Sequence, residues 1–421
     1  MQFQNCVYAL TSQANSDDQY ILRVPMEPEL REDDGVCEAV LNDAALLGHL
    51  AERLPVPRVV AYSATGNNVL EEPYMLQTRL PGVALDGVFE RLTHQEKLAI
   101  IDQYVDLIAK LEAITFEAAG TFTVSAFEPV SSNKVSPLDP HITFFNQGDE
   151  EFVEKPETAI DRAGPNVKAL FDSHIDGWLE TERKYEEEVN DDSGRVPYYN
   201  KMKEILNTLQ SDNTFDQPQP IVLYHWDLEA RNVMVTLTPD GYKITGIIDW
   251  DGALASPRVL ARRAPDWIWD FDHEGFTGYK DTDHHPNLDL SADSLALKNH
   301  FDEKARLVLG DQYLEDAYGI GRLLRRIWSA SKEPLYCTTA FYLMVEMCEE
   351  WDRRSNGPEP VSEQLPSGGQ PPVEPKAVLD TLPLAEQQVA KAVVEPQKFV
   401  GLWAKVVHCF RRLVRKMKAG W

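Results

Sequence analysis

Cysteine is scarce in this chain: five in 421 residues, at Cys6, Cys37, Cys337, Cys348 and Cys409, scattered and without C-x-x-C spacing. That excludes a disulfide framework and a thiolate zinc site as organising devices, and a reducing, cytosol-like (cytoplasmic) compartment is expected. Positive charge is short as well, with 41 Lys+Arg against 68 Asp+Glu and a net charge of −27. Such a surface repels phosphate backbones, so no nucleic acid is expected as a partner. Long apolar runs are missing: nowhere do about eighteen apolar residues follow one another. Met1 to Tyr20 contain no basic stretch leading into an apolar one, so neither a spanning helix nor a signal peptide is expected. No internal repeat is visible.

What is present is the composition of a globular protein, 43% hydrophobic and 26% charged, with chain enough for about two to three compact units. The first stretch reads as strand, strand, helix, strand, strand. Cys6 to Leu10 and Tyr20 to Val24 pair around a polar turn at Asn15 to Gln19. A helix over Val36 to Leu54 repeats Val40, Ala44, Leu47, Ala51 and Leu54, and Pro55 and Pro57 stop it. Strands follow at Arg58 to Tyr62 and Tyr74 to Leu80. From Thr93 the pattern turns helical: Thr93-His94-Gln95-Glu96 is a capping box, with Leu98, Ile101, Val105, Ile108 and Leu111 on one face. A charged helix is expected near Ile175 to Tyr185, and helices again over residues 294 to 352.

The stretch with most chemical content is His225-Trp226-Asp227-Leu228-Glu229-Ala230-Arg231-Asn232, followed by two apolar runs, Val233 to Leu237 and Ile244 to Ile248, around Pro239-Asp240-Gly241. The runs should form a hairpin, and Asp249-Trp250-Asp251-Gly252-Ala253 leaves its second strand. Antiparallel pairing then brings Asp227 and Asn232, before the first strand, beside Asp249, after the second. Two carboxylates and a carboxamide at one hairpin end make an oxygen-rich site suited to Mg²⁺, with one acid left as a base.

H-x-D-x-x-x-x-N, a strand, a turn, a strand and I-I-D-W together resemble the catalytic and metal loops of the aminoglycoside phosphotransferase family. The D-W-D-G-A wording, with Pro257 and Pro265-Asp266-Trp267, resembles a fungal-type branch of it. The resemblance implies a protein-kinase-like two-lobed α+β fold. It divides the chain into a small lobe and hinge at residues 1–82 and a mainly helical lobe at 83–352. A Pro/Glu-rich linker with eight prolines at 353–397 and a basic amphipathic helix at 398–421 complete the chain. The implied activity is transfer of the γ-phosphoryl group of ATP, with Mg²⁺, to a hydroxyl of a small molecule. Asp227 would be the catalytic base, and Asn232 and Asp249 the metal ligands. Arg23 falls where such folds place a nucleotide-binding lysine, with Glu38 as its ion-pair partner and Glu71 or Glu72 as alternatives. Met75 to Gly82 resembles the hinge. No glycine precedes Gly35, so the phosphate-covering glycine-rich loop is absent or cut short. With Arg in place of Lys, that favours the alternative of a non-catalytic pseudokinase acting as a binding module. A protein kinase is disfavoured because no A-P-E segment follows Asp249.

Trp226 would either narrow the acceptor pocket or pack in the core. Acids at Asp266, Asp270, Asp272, Glu274, Asp281 and Asp283, with Trp267, Trp269 and Phe271, would suit a cationic acceptor or form a solvated loop. His284 and His285 lack metal-ligand spacing and read as surface loop. Residues 398–421 carry seven Lys or Arg and no acid, with Phe399, Leu402, Trp403, Val406 and Phe410 on one face. Three partners fit this helix: the acidic body of the same chain, an anionic membrane surface and a calmodulin-like groove.

Overall fold

The computed structural model describes residues 5–12, 18–25, 37–122, 144–145, 152–153, 167–189, 194–216, 219–269, 290–332 and 338–356. Two units separate by their contacts, Met1–Thr65 with Pro73–Ser355, and Gly66–Glu72 with Asn356–Trp421. In the second, Asn68 bends the chain into a turn, accepting from Leu70 N at 2.8 Å and donating to Glu72 O at 2.8 Å. The acids from Asp270 to Asp283, Phe271, His284, His285, nearly all of the Pro/Glu-rich stretch and the basic amphipathic segment lie outside the described residues.

The first unit begins with a four-stranded antiparallel sheet. β1 (Asn5–Thr11) and β2 (Gln19–Pro25) form a hairpin, α1 (Glu38–Leu50) follows, and β3 (Val59–Ser63) and β4 (Tyr74–Thr78) complete the order β1-β2-β4-β3. These elements match the order read from the sequence. α1 is shorter at its C-terminal end than its periodicity indicated: Ala51 to Leu54 run on as turns, because Pro55 disfavours helical geometry at Leu54. Val40, Ala44, Leu46, Leu47 and Leu50 are buried in α1, and with Met75 of β4 they belong to one core cluster.

After β4 the chain enters the helical part through Arg79 to Gly82 and pairs β5 (Val83–Ala84) against a later strand. Gly82 has φ +97, and a Cβ there would lie 2.0 Å from Val235 O. Only glycine permits both that backbone and that approach. α2 (Asp86–Phe89) and α3 (His94–Glu112) come next, and Thr93 closes the expected capping box, with Thr93 N donating to Glu96 Oε2 at 2.8 Å. Short strands β6 (Thr115–Phe116) and β7 (Gly120–Thr121), then β8 (Phe144–Phe145) with β9 (Phe152–Val153), precede the long helices α4 (Val167–Val189) and α5 (Val196–Ser211). β10 (Ile221–Tyr224), β11 (Val233–Thr238), β12 (Gly241–Ile247), β13 (Leu254–Pro257) and α6 (Arg258–Ala261) carry the loops described below. α7 (Ala292–Leu309), α8 (Gln312–Tyr318), α9 (Ile320–Lys332) and α10 (Thr338–Asn356) finish the unit. Residues of α4, α5, α9 and α10 share one apolar core around Trp178 and Trp328, and residues of α3, α7 and α8 share another around Trp267 and Phe301. The architecture is mixed α+β, with a sheet-rich first part and a helical second.

Candidate active site

β10 is an apolar run, buried through Leu223, that pairs with β6 and β13 and delivers the chain to His225. The backbone then turns tightly: Glu229 N donates to Asp227 O at 2.8 Å and Asn232 N to Glu229 O at 2.9 Å. Inside this turn the Asn232 amide donates to both Asp227 O and Asp227 Oδ2, each at 2.8 Å. Arg231 holds the other oxygen, Asp227 Oδ1. The buried Asp227 carboxylate is therefore oriented from two sides, and Asn232 Oδ1 is left for another partner.

The hairpin forms where Gly241, at φ +103, takes a backbone that side-chain-bearing residues rarely adopt. β11 and β12 pair from Thr238↔Gly241 to Val233↔Ile247, with one bulge at Met234/Val235. The ladder runs one step further, Ile248 N donating to Asn232 O at 2.9 Å. His225 Nε2–H donates to Ile248 O at 3.0 Å. Thus the end of the hairpin brings the 225–232 turn beside Asp249, as antiparallel pairing requires. Asp249 sits at φ 63 with its side chain 42% exposed. Burial lowers the pKa of His225, so the ring is neutral at ordinary pH.

Trp250 faces the core, its indole N–H donating to Ile247 O at 3.1 Å and its ring meeting His225 edge-on at 4.8 Å. Trp226 lies over Gly252, where a Cβ would come within 3.0 Å of its indole nitrogen, and that N–H donates to Asp251 O at 2.8 Å. The half-buried indole fastens the two loops together, and it also lines a cavity with Tyr104, Leu228, Glu229, Arg263 and Trp267. Trp267 and Trp269 are buried, packing against Phe89 and Tyr104 and against Phe301 respectively. They belong to the core.

Arg23 reaches the same place from the sheet. Its guanidinium is buried, bonds Asp251 Oδ2, and stands 3.6 Å from Asp249 Oδ1. Glu38 does not come to it: that residue is exposed in the first turn of α1, and among the described residues no hydrogen bond or ion pair joins it to Arg23. The acid that α1 sends into the cluster is Asp43. Burial first, then the neighbouring Asp251 charge, push the Asp43 carboxyl up to about 8. Burial and the Asp251 charge also raise Asp249. Sequence reasoning missed Asp251 and Asp43. The signal for Asp251 was its place two residues after Asp249; Asp43 had only its position beside the buried stripe of Val40, Ala44 and Leu47.

Asp249 and Asp251, with the largely protonated Asp43 carboxyl beside them, outnumber the one guanidinium, and a cation would relieve the excess negative charge. No group of three His, Cys, Asp or Glu among the described residues is arranged to hold a metal. A metal here would use the Asn232 amide oxygen with Asp249 and take its remaining ligands from substrate and water, which suits magnesium. The hard oxygen donors and the raised Asp249 fit that ion.

The family model described as "Phosphotransferase enzyme family" matches residues 2–260, more than half of the chain. A Clavispora lusitaniae protein named "Altered inheritance of mitochondria protein 9, mitochondrial" is 30% identical over 164 residues, covering 37% of this chain and 25% of that protein. Its Candida dubliniensis namesake is 24% identical over 296 residues, covering 60% of this chain and 46% of that protein. The chain thus spans less than half the length of the curated relatives it matches. Among solved structures, an ADP-bound aminoglycoside phosphotransferase is similar at 14% identity and a TM-score of 0.44, over 82% of this chain and 92% of that one. A Plasmodium vivax ethanolamine kinase is similar at 11% identity and a TM-score of 0.42, over 82% of each.

Proposed function

Because the chain belongs to the phosphotransferase enzyme family, with the kinase-like α+β fold of that family, we propose that it moves the γ-phosphoryl group of ATP to a hydroxyl of a small molecule, with magnesium. The observation that carries this reading is the junction of Asp227, Asn232 and Asp249 at one hairpin end. Asp227, held at Oδ1 by Arg231 and at Oδ2 by Asn232, accepts the proton of the acceptor hydroxyl as the oxygen attacks. Its fixed orientation supplies positioning, which is most of what phosphoryl transfer asks of a protein. Asn232 Oδ1 and Asp249 would hold magnesium, which supplies charge neutralisation at the phosphates. Arg23 contributes a permanent positive charge to the same phosphates. With −27 on the chain, a cationic acceptor is favoured over an anionic one.

Thermal melting of the wild type with ATP and MgCl₂, beside Asp249→Ala, tests this. A ligand that binds only the folded state stabilises it by about 2.7 kcal/mol at a hundred times its Kd. A magnesium-dependent rise in Tm that Asp249→Ala abolishes is expected. A folded wild type that ATP and magnesium leave unshifted would replace the reading with a non-catalytic binding module.

A further inference from the structure

Arg23 lies mid-sheet, opposite Val7 on β1 and Met75 on β4. A guanidinium buried there needs a fixed counter-charge, since an unpaired buried cation is costly. Resemblance to kinase-like folds pointed to a helix acid, Glu38, for that role. Glu38 instead stays in solvent at the start of α1, where the helix dipole favours a carboxylate without any partner. Asp251 bonds the guanidinium directly, and the same oxygen, Oδ2, accepts from Asn5 Nδ2 of β1 at 3.0 Å. Two neighbouring strands of the small sheet therefore converge on one carboxylate. That carboxylate belongs to the loop carrying Asp249, two residues earlier, and the Trp226 indole anchors its backbone at 2.8 Å.

We infer that Asp251, rather than Glu38 of α1, is the positioning residue that aims Arg23 at the phosphates of a bound nucleotide. The inference rests on the phosphotransferase reading above. Its consequence is mechanical: the acid that sets Arg23 and the acid that would hold the metal sit on one short loop. Any shift of that loop changes both together.

Calorimetric titration of the full chain with ATP and MgCl₂, and with AMP as a probe lacking the outer phosphates, tests the assignment. Loss of a charge-assisted bond predicts that Asp251→Asn weakens ATP binding by about tenfold or more. AMP binding should then change by less than about twofold, a split that general loosening of the fold would not produce. Asp251→Glu, which keeps the charge on a longer arm, should recover part of the loss, and Glu38→Gln should stay within about twofold of wild type. Should Asp251→Asn not fold, Asp251→Glu with a phosphate-selective loss of about threefold supports the inference, and one indistinguishable from wild type overturns it. ATP binding by Asp251→Asn that equals or exceeds wild type overturns it too, because Asp251 then merely occupies Arg23 in the empty cleft. A tenfold loss at Glu38→Gln would hand the role back to α1. A folded wild type that binds neither ATP nor AMP would defeat the phosphotransferase reading itself, an outcome distinct from these.

Discussion

Two buried arginines divide the molecule by the company they keep. Arg262, at the end of α6, meets Glu112 through two parallel bonds, Nε to Oε1 at 2.8 Å and Nη2 to Oε2 at 2.7 Å. It bonds Asp316 Oδ2 at 3.0 Å and Leu309 O at 3.2 Å and lies against the Tyr313 ring. Its donors are matched by acceptors of the right geometry, and the cluster ties α3, α6, α7 and α8 together. Arg23 faces three acids, bonds one of them directly, and leaves the other two, Asp43 and Asp249, with raised pKa values. Similar ingredients thus give a fastening in one place and a charge imbalance in the other. A fastening is complete without a ligand, whereas an imbalance is relieved by one.

The sharpest way to separate the two regions is Asp227→Asn, which keeps the side chain's shape and one of its two acceptors but removes the proposed base. It should lower kcat by about 10²–10⁴ in a steady-state transfer assay while leaving Tm close to wild type. Arg262→Ala should do the converse. Stranding Glu112 and Asp316 should cost about 3–5 kcal/mol in urea denaturation, with nucleotide affinity retained in whatever fraction stays folded.

A pH series sharpens the contrast further. Asp43 ionises near 3.8 ordinarily and at about 8 in the fold, chiefly because of burial. The folded state then binds the proton more tightly than the unfolded chain, so this contribution to stability is complete below about pH 4 and is lost as pH rises through about 8. Tm should therefore fall between pH 5 and 8, and Asp43→Asn should flatten that slope. The smallest effect comes from Thr93→Ala, which removes the α3 cap far from either cluster. It should cost about 1 kcal/mol without altering the pH slope, and a steeper pH dependence in that variant would mean the slope arises elsewhere.

Much of this is legible in the sequence. The order of elements in the first part follows from period-two and period-3.6 runs punctuated by Pro55, Pro57 and the polar turns. The capping box at Thr93 and the hairpin around Gly241 were readable because local chemistry decides them. Convergence of Asp227, Asn232 and Asp249 followed from antiparallel pairing alone. Glu38 was misplaced for the opposite reason. Which acid of a helix turns inward depends on how that helix rolls against the sheet, and both Glu38 and Asp43 border its apolar stripe.

By itself the sequence determined the elements of the first part, their order, the hairpin and the set of oxygen-bearing side chains at its end, because these rest on interactions between residues close along the chain or paired by one hairpin. Only the tertiary structure decided that Asp251 rather than Glu38 holds Arg23, that Trp226 seats on Gly252, and that Trp267 and Trp269 fill the core. Those outcomes join segments more than two hundred residues apart, or set a side chain's surroundings by packing from several elements at once. No local periodicity encodes such choices, since they depend on the shape left when every other side chain is in place.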